Sequence, residues 1–322
     1  MKRIITFLLV ILLFPIQIYA YSNNIIVGGK TIGIEINSKG VYVVGFYKVN
    51  NEFIGKKSGF QIGDQIIELN NNKIDDINTL NSYLSDNKNI FKIIRGKEEK
   101  TIESNIVYED NTYKTGLYVK NQIIGVGTLS YIDPETKVFA SLGHDIIEKE
   151  SSKRFDIKDG NMYKAETNNI RKSEINSPGE KKAIINKQEI IGDIKLNESE
   201  GIFGIYNKEI DMNNTMEVSK KEDIRKGEAF IRTSIEKDTV QDYKINILSI
   251  DEQDSTKNIL FEIKDEELLS KTGGIIQGMS GSPIIQNNKI IGVVNYVVIE
   301  DPTKGFGIFI TSMLEKGDKI IS

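Results

Sequence analysis

The chain has 322 residues and a formal net charge of −4, with no cysteine and a single histidine. An acidic body with no basic cluster excludes a nucleic-acid-binding surface, and the lack of cysteine excludes disulfides, so buried apolar surface has to supply the stability. A chain this long can do that, as about two domains.

Met1-Lys2-Arg3 is a short basic start, and Ile4 to Ile18 is apolar apart from Thr6, Pro15 and Gln17. Residues 1–20 are therefore expected to be a signal peptide or N-terminal membrane anchor, short for a spanning helix and cleavable after Ala20. Ile18 is large for the position three residues before that cut, so both readings stand, and either one makes the rest of the chain an exported protein. Without residues 1–20, which carry Lys2 and Arg3 and no acid, the net charge falls from −4 to −6.

Residues 25–108 are expected to form the first domain. Val41 to Phe46 reads as a strand, and Ser58 to Asn70 as a glycine-rich turn feeding another. Asp76 or Asn78 is placed to cap a short helix through Leu80, Tyr83 and Leu84, before a returning strand at Ile90 to Ile94. This order, with its Gly59-Phe60-x-x-Gly63-Asp64 step, resembles a bacterial PDZ domain. The likeness implies that Thr31, Ile32, Gly33 and Ile34 form a loop binding a peptide carboxylate, with Ile34 to Ile36 as the edge strand that a bound peptide extends.

Glu109-Asp110-Asn111 is a polar seam opening the second domain, residues 109–322. Short apolar runs follow, among them Ile123 to Leu129, Val138 to Leu142, Ile190 to Leu196, Tyr243 to Ile250 and Ile259 to Ile263. Many short strands separated by turns favour a sandwich or barrel. The charged span Lys149 to Ser177 reads as a surface excursion, and no carboxylate cluster has metal-ligand spacing.

The chemistry concentrates in Gly278-Met279-Ser280-Gly281-Ser282-Pro283, a small-residue turn before two apolar strands. Its glycines let the backbone approach a substrate and turn consecutive amides toward one point, so Ser280 has the setting of a nucleophile, with the amides of Gly278 and Ser280 as an oxyanion hole. His144, in Leu142-Gly143-His144-Asp145, is the one imidazole available as a base near neutral pH.

These motifs, with Thr128-Leu129-Ser130-Tyr131-Ile132-Asp133-Pro134 and Ser177-Pro178-Gly179-Glu180-Lys181, closely resemble the SpoIVB-type serine peptidases of endospore-forming bacteria. The resemblance implies a mainly β protein: a small α+β PDZ domain followed by a chymotrypsin-like double β-barrel. It also implies an exported serine endopeptidase that needs no cofactor or metal and acts between forespore and mother cell. The implied substrates are a membrane-anchored sporulation regulator and the enzyme's own N-terminal region. Asp265 occupies the position of a required aspartate in that family, which implies a triad of Ser280, His144 and Asp265. The same residue is equally placed to cap a helix at Glu266 to Ser270, and both roles stay open. A non-catalytic PDZ adaptor and an HtrA-like quality-control peptidase are the competing classes.

Overall fold

The computed structural model describes residues 21–321; the expected signal peptide or anchor, residues 1–20, lies outside them. Strand β1 (Asn24–Val27) leads into the long β2 (Thr31–Phe46). A small unit then follows, with β3 (Gln65–Leu69), β4 (Asn72–Lys73), β5 (Asn87–Arg95), β6 (Glu98–Glu109) and β7 (Thr112–Lys114). The chain returns along β8 (Leu117–Ile132) to β9 (Val138–Ser141), the short hairpin β10 (Ile147–Glu148) and β11 (Lys153–Arg154), β12 (Ile157–Arg171), β13 (Gly179–Glu198) and β14 (Gly201–Tyr206).

Antiparallel pairing runs β2–β12–β13–β14–β9–β8 and back to β2, closing a six-stranded barrel. Strands β15 (Thr215–Val218), β16 (Gly227–Glu236), β17 (Thr239–Ile250), β18 (Ile259–Ile263), β19 (Ile276–Gln277), β20 (Pro283–Gln286), β21 (Lys289–Val297) and β22 (Lys304–Phe309) make up the second half. There the circuit β16–β17–β18–β22–β21–β20 returns to β16, a second six-stranded antiparallel barrel. Closure removes the edges that would otherwise template aggregation. Strand β1 pairs with β8 and β15, and β15 with β21, so the two barrels share main-chain hydrogen bonds.

The period-two pattern decides what fills each barrel. In β17 Tyr243, Ile245 and Ile247 are buried, while Lys244 between them is exposed. Ile34, Phe139, Met162 and Ile202 pack inside the first barrel, and Ile231, Ile245, Phe261 and Ile284 inside the second. Each such side chain contributes roughly 1.5–3 kcal/mol of burial.

The small unit has its own core, in which the rings of Phe60 and Phe91 meet edge to face at 5.1 Å. Its helix Ile77–Ser82 is capped by Asp76, which accepts a hydrogen bond from Thr79 N at 2.7 Å. This unit interrupts the first barrel rather than preceding it. Strand β2 contributes Ile32, Ile34 and Ile36 to the barrel core and Val41 and Val43 to the small core. Likewise β8 leaves the small core at Leu117 and enters the barrel core at Leu129. The expected division into residues 25–108 and 109–322 is corrected accordingly: residues 31–36 belong to the first barrel, and β1 before them links the two barrels. Strand β2 runs as one element from Thr31 to Phe46; a positive φ at Gly40 (74°), a register shift against β8 between Asn37 and Tyr42, and a change of pairing partners mark the junction between the two parts.

The expected peptide-binding loop is corrected too. Ile32, Gly33 and Ile34 pair with Gly127, Val126 and Gly125 on one side and with Lys164, Tyr163 and Met162 on the other. Both edges of this strand are occupied, so no peptide adds beside Thr31 to Ile36. The span read as a surface excursion supplies β12, with Met162, Tyr163 and Ala165 buried.

Candidate active site

The two barrels each bring one chemical group to the cleft between them. His144 comes from the first, just after β9, where Leu142 and Gly143 both take left-handed backbone angles, φ 72° and 70°. Two such residues in succession turn the chain sharply out of the strand, and for a leucine that conformation is strained. Leu142 is held there by burial of its side chain in the first-barrel core. The turn directs Gly143 against the second barrel: a Cβ on it would lie 3.1 Å from Asn295 Cβ.

Ser280 comes from the loop between β19 and β20. Main-chain bonds tie this loop down: Gly281 N donates to Val294 O at 2.7 Å, Ser282 N to Met279 O at 2.9 Å, and Thr128 N, from the first barrel, to Ser280 O at 3.0 Å. Gly281 has φ 98°, and a Cβ there would sit 2.0 Å from Thr128 O, so only glycine fits. Met279 N donates to Ile276 O, whereas no hydrogen bond among the described residues engages the Ser280 amide. Thr128 Oγ1 donates to the carbonyl of Gly278 at 2.7 Å, so Thr128 holds the carbonyls on both sides of that free amide.

His144 and Ser280 line the same cavity, of about 580 Å³, whose other walls include Ile34, Ile123, Ile275, Ile276 and Val297. The half-buried imidazole lies on the ring of Tyr296, centroids 5.5 Å apart and planes 27° from parallel. Its Nδ1 lies 2.8 Å from the carbonyl oxygen of Asp145. With the proton on Nδ1 that bond forms, and Nε2 keeps its lone pair. Burial pulls the imidazole below its ordinary value, against the opposing pull of the Asp145 carbonyl and charge, so it is neutral at pH 7. The Ser280 hydroxyl donates to Asn295 O at 3.2 Å.

Asp265 is engaged elsewhere. Its carboxylate accepts Leu268 N at 2.9 Å and Lys244 N at 3.3 Å, which makes it the N-cap of the helix Glu266–Thr272. It is not among the residues lining the cavity. The carboxylate of Asp145 points to Arg154 Nε at 2.9 Å, leaving its main-chain oxygen as the partner of the imidazole. Asn295 and Tyr296 had no role in the sequence reading, because nothing in an apolar strand marks which residues will face a cleft formed with another barrel. Thr128 and Lys181 stood within the quoted motifs without an assigned role.

Among curated proteins, none matches the chain. Among the solved structures similar to it are two forms of one protease. The Rv3671c protease from M. tuberculosis in its active form is 14% identical, with 62% of this chain and 74% of that one covered and a TM-score of 0.33. The inactive form is 13% identical, covering 61% and 85%, with a TM-score of 0.32. The family model described as SpoIVB peptidase S55 matches residues 111–314. That is well over half of the chain, and the chain therefore belongs to the SpoIVB peptidase S55 family and is a serine peptidase.

Proposed function

We propose that Ser280 is the nucleophile, His144 the general base, and the amides of Gly278 and Ser280 the oxyanion hole of this peptidase. The observation that carries this is the convergence of Ser280 and His144 on one cavity, with an unengaged amide at Ser280. The hydroxyl rotates off Asn295 O and attacks the peptide carbonyl carbon while Nε2 of His144 takes its proton. The C–N bond then breaks, and the departing amine receives that proton from the imidazolium. Water repeats the sequence on the acyl-enzyme and frees Ser280. The carbonyl of Asp145 orients the ring, so the working pair is a dyad fixed by main chain, with Asp265 supporting the helix upstream of the nucleophile loop. The aliphatic walls of the cavity favour substrates with an apolar side chain beside the cleaved bond.

In the cell, we further propose, the enzyme is exported and acts in sporulation signalling. It cleaves a membrane-associated regulator and its own N-terminal region, held at the membrane through residues 1–20. The family description and the apolar N-terminus support it. The inserted small unit is read as a PDZ-type module that engages substrate, through a surface other than Thr31 to Ile34. Labelling the purified protein with a fluorophosphonate probe and mapping the modified residue tests the chemistry. Modification of Ser280, lost in Ser280→Ala and His144→Ala, is expected; labelling elsewhere or none refutes it. Co-expression with candidate membrane-bound regulators, followed by their fragments, tests the biology.

A further inference from the structure

Behind the nucleophile loop lies a lysine with no acid to pair with. Lys181, on β13, is 2% exposed. Its ammonium reaches three threonine hydroxyls: Thr31 Oγ1 at 3.2 Å from β2, Thr128 Oγ1 at 3.5 Å from β8, and Thr233 Oγ1 at 3.5 Å from β16 of the other barrel. Three donors thus face three neutral acceptors. The charged neighbours on these strands face away. Arg232 pairs with Asp242 at 2.7 Å, Glu180 lies near Arg171 at 4.0 Å, and Glu166, next to Thr167, is exposed.

An uncompensated buried ammonium is costly, and burying a methylene chain of the same length is not. Its place in a hydrogen-bonded chain gives it a use. The Thr128 hydroxyl that accepts from Lys181 is the one that donates to Gly278 O, 2.7 Å away. The carbonyl can only accept, so the hydroxyl donates to it; the ammonium on the oxygen's other side polarises that O–H and strengthens its bond to the carbonyl. The stem of Lys181 also backs the loop: a Cβ on Gly278 would lie 2.9 Å from Lys181 Cβ.

We infer that Lys181 is a positioning residue for the oxyanion loop, its ammonium fixing the Thr128 hydroxyl onto Gly278 O so that the Gly278 and Ser280 amides stay aimed into the cavity. The inference rests on the reading of Ser280 as nucleophile. Burial pulls Lys181 down to about 7, so the charged form that locks the loop is lost as pH rises through neutrality. Above that range the amine donates one bond fewer and carries no charge, and the loop loosens.

The test is the rate of fluorophosphonate modification of Ser280 in the full chain, resolved into its maximal rate and its half-saturating probe concentration, from about pH 5.5 to 8.5. For Lys181→Met the maximal rate is expected to fall about 10- to 100-fold with the half-saturating concentration nearly unchanged. The wild-type decline near pH 7 should vanish in the variant, while the acid limb of His144 stays. A merely structural lysine would leave that pH profile unaltered. Thr128→Val removes the hydroxyl and keeps the shape, so it decides if Lys181→Met fails to fold: the same fall is expected, and an unchanged rate overturns the inference. If wild type is labelled at Ser280 and Lys181→Met equally so at every pH, the positioning role is wrong and the nucleophile stands. If wild type is not labelled at Ser280, both fall.

Discussion

The imidazole of His144 is oriented by the main-chain carbonyl of the next residue, Asp145, 2.8 Å from Nδ1, while the Asp145 carboxylate is turned to Arg154. A main-chain oxygen cannot be protonated and is not removed by side-chain substitution. Asp145→Asn should therefore lower kcat by less than about tenfold, against the ~10⁴-fold loss seen when a triad carboxylate is replaced. Steady-state kinetics on a peptide substrate measure it.

The pH dependence has a defined sign. Burial lowers the imidazole below its ordinary 6.5, so the neutral base persists into mildly acid solution. The acid limb of kcat/KM should lie below pH 6.5. A limb at or above that value would contradict the environment described for His144.

Asp265 is expected to matter for stability and not for the chemistry. Asp265→Ala removes the cap of Glu266–Thr272 and should cost about 1 kcal/mol, and Asp265→Asn, which also caps well, only a few tenths. Both should keep most of their activity per folded molecule. Thermal melts alongside a cleavage assay measure this, and collapse of activity in Asp265→Asn at unchanged Tm would return it to the triad.

Of the two serines in the loop, only Ser280 lines the cavity; Ser282 is fully buried and its hydroxyl finds no partner among the described residues. Ser280→Ala should abolish turnover down to a residue orders of magnitude lower. Ser282→Ala should change kcat less than about threefold and leave stability equal or slightly higher, since an unsatisfied buried hydroxyl is removed. Parallel assays of the two variants decide it.

Gly33→Trp should break the first barrel instead of blocking a peptide groove. A Cβ at Gly33 already lies 2.5 Å from Ile185 Cγ2, and an indole there has no space. Overpacking of this kind costs roughly 1–3 kcal/mol or more. Loss of soluble protein or a lowered Tm is the expected observation.

Lys181 makes stability rise with pH. Below about 7 both folded and unfolded chains hold its proton; between there and the ordinary lysine value of 10.5 only the unfolded chain does. Unfolding then takes up a proton, and stability climbs by up to ~1.4 kcal/mol per pH unit across that window. Denaturant melts at several pH values should show the rise, and Lys181→Met should remove it.

Candidate residues for the chemistry were easier to single out in the sequence than the domain layout. Ser280 and His144 could be singled out because one glycine-flanked serine and one histidine leave few other candidates for this chemistry. The cap at Asp76, the helix through Leu80 and the strand around Ile90 to Ile94 follow from local rules, which act over a few residues and need no tertiary information. Thr31 to Ile34 went astray because a glycine between isoleucines reads alike as a loop and as a crowded central strand; Ile185, far along the chain, is what fills the space beside Gly33.

By itself the sequence determined a chain that cannot form disulfides and whose short alternating runs read as mainly β, because residue counts and short-range pattern are enough for that; the likeness of its Ser280 and His144 motifs to the SpoIVB peptidases is what pointed to a serine peptidase. Only the tertiary structure decided that the small unit interrupts a barrel, that Asp265 caps a helix, that the Asp145 carbonyl holds the imidazole, and that Lys181 sits charged or neutral behind the loop. Each of these depends on which distant strands pair and which face each presents, and period-two alternation is identical for every such pairing until the barrels close.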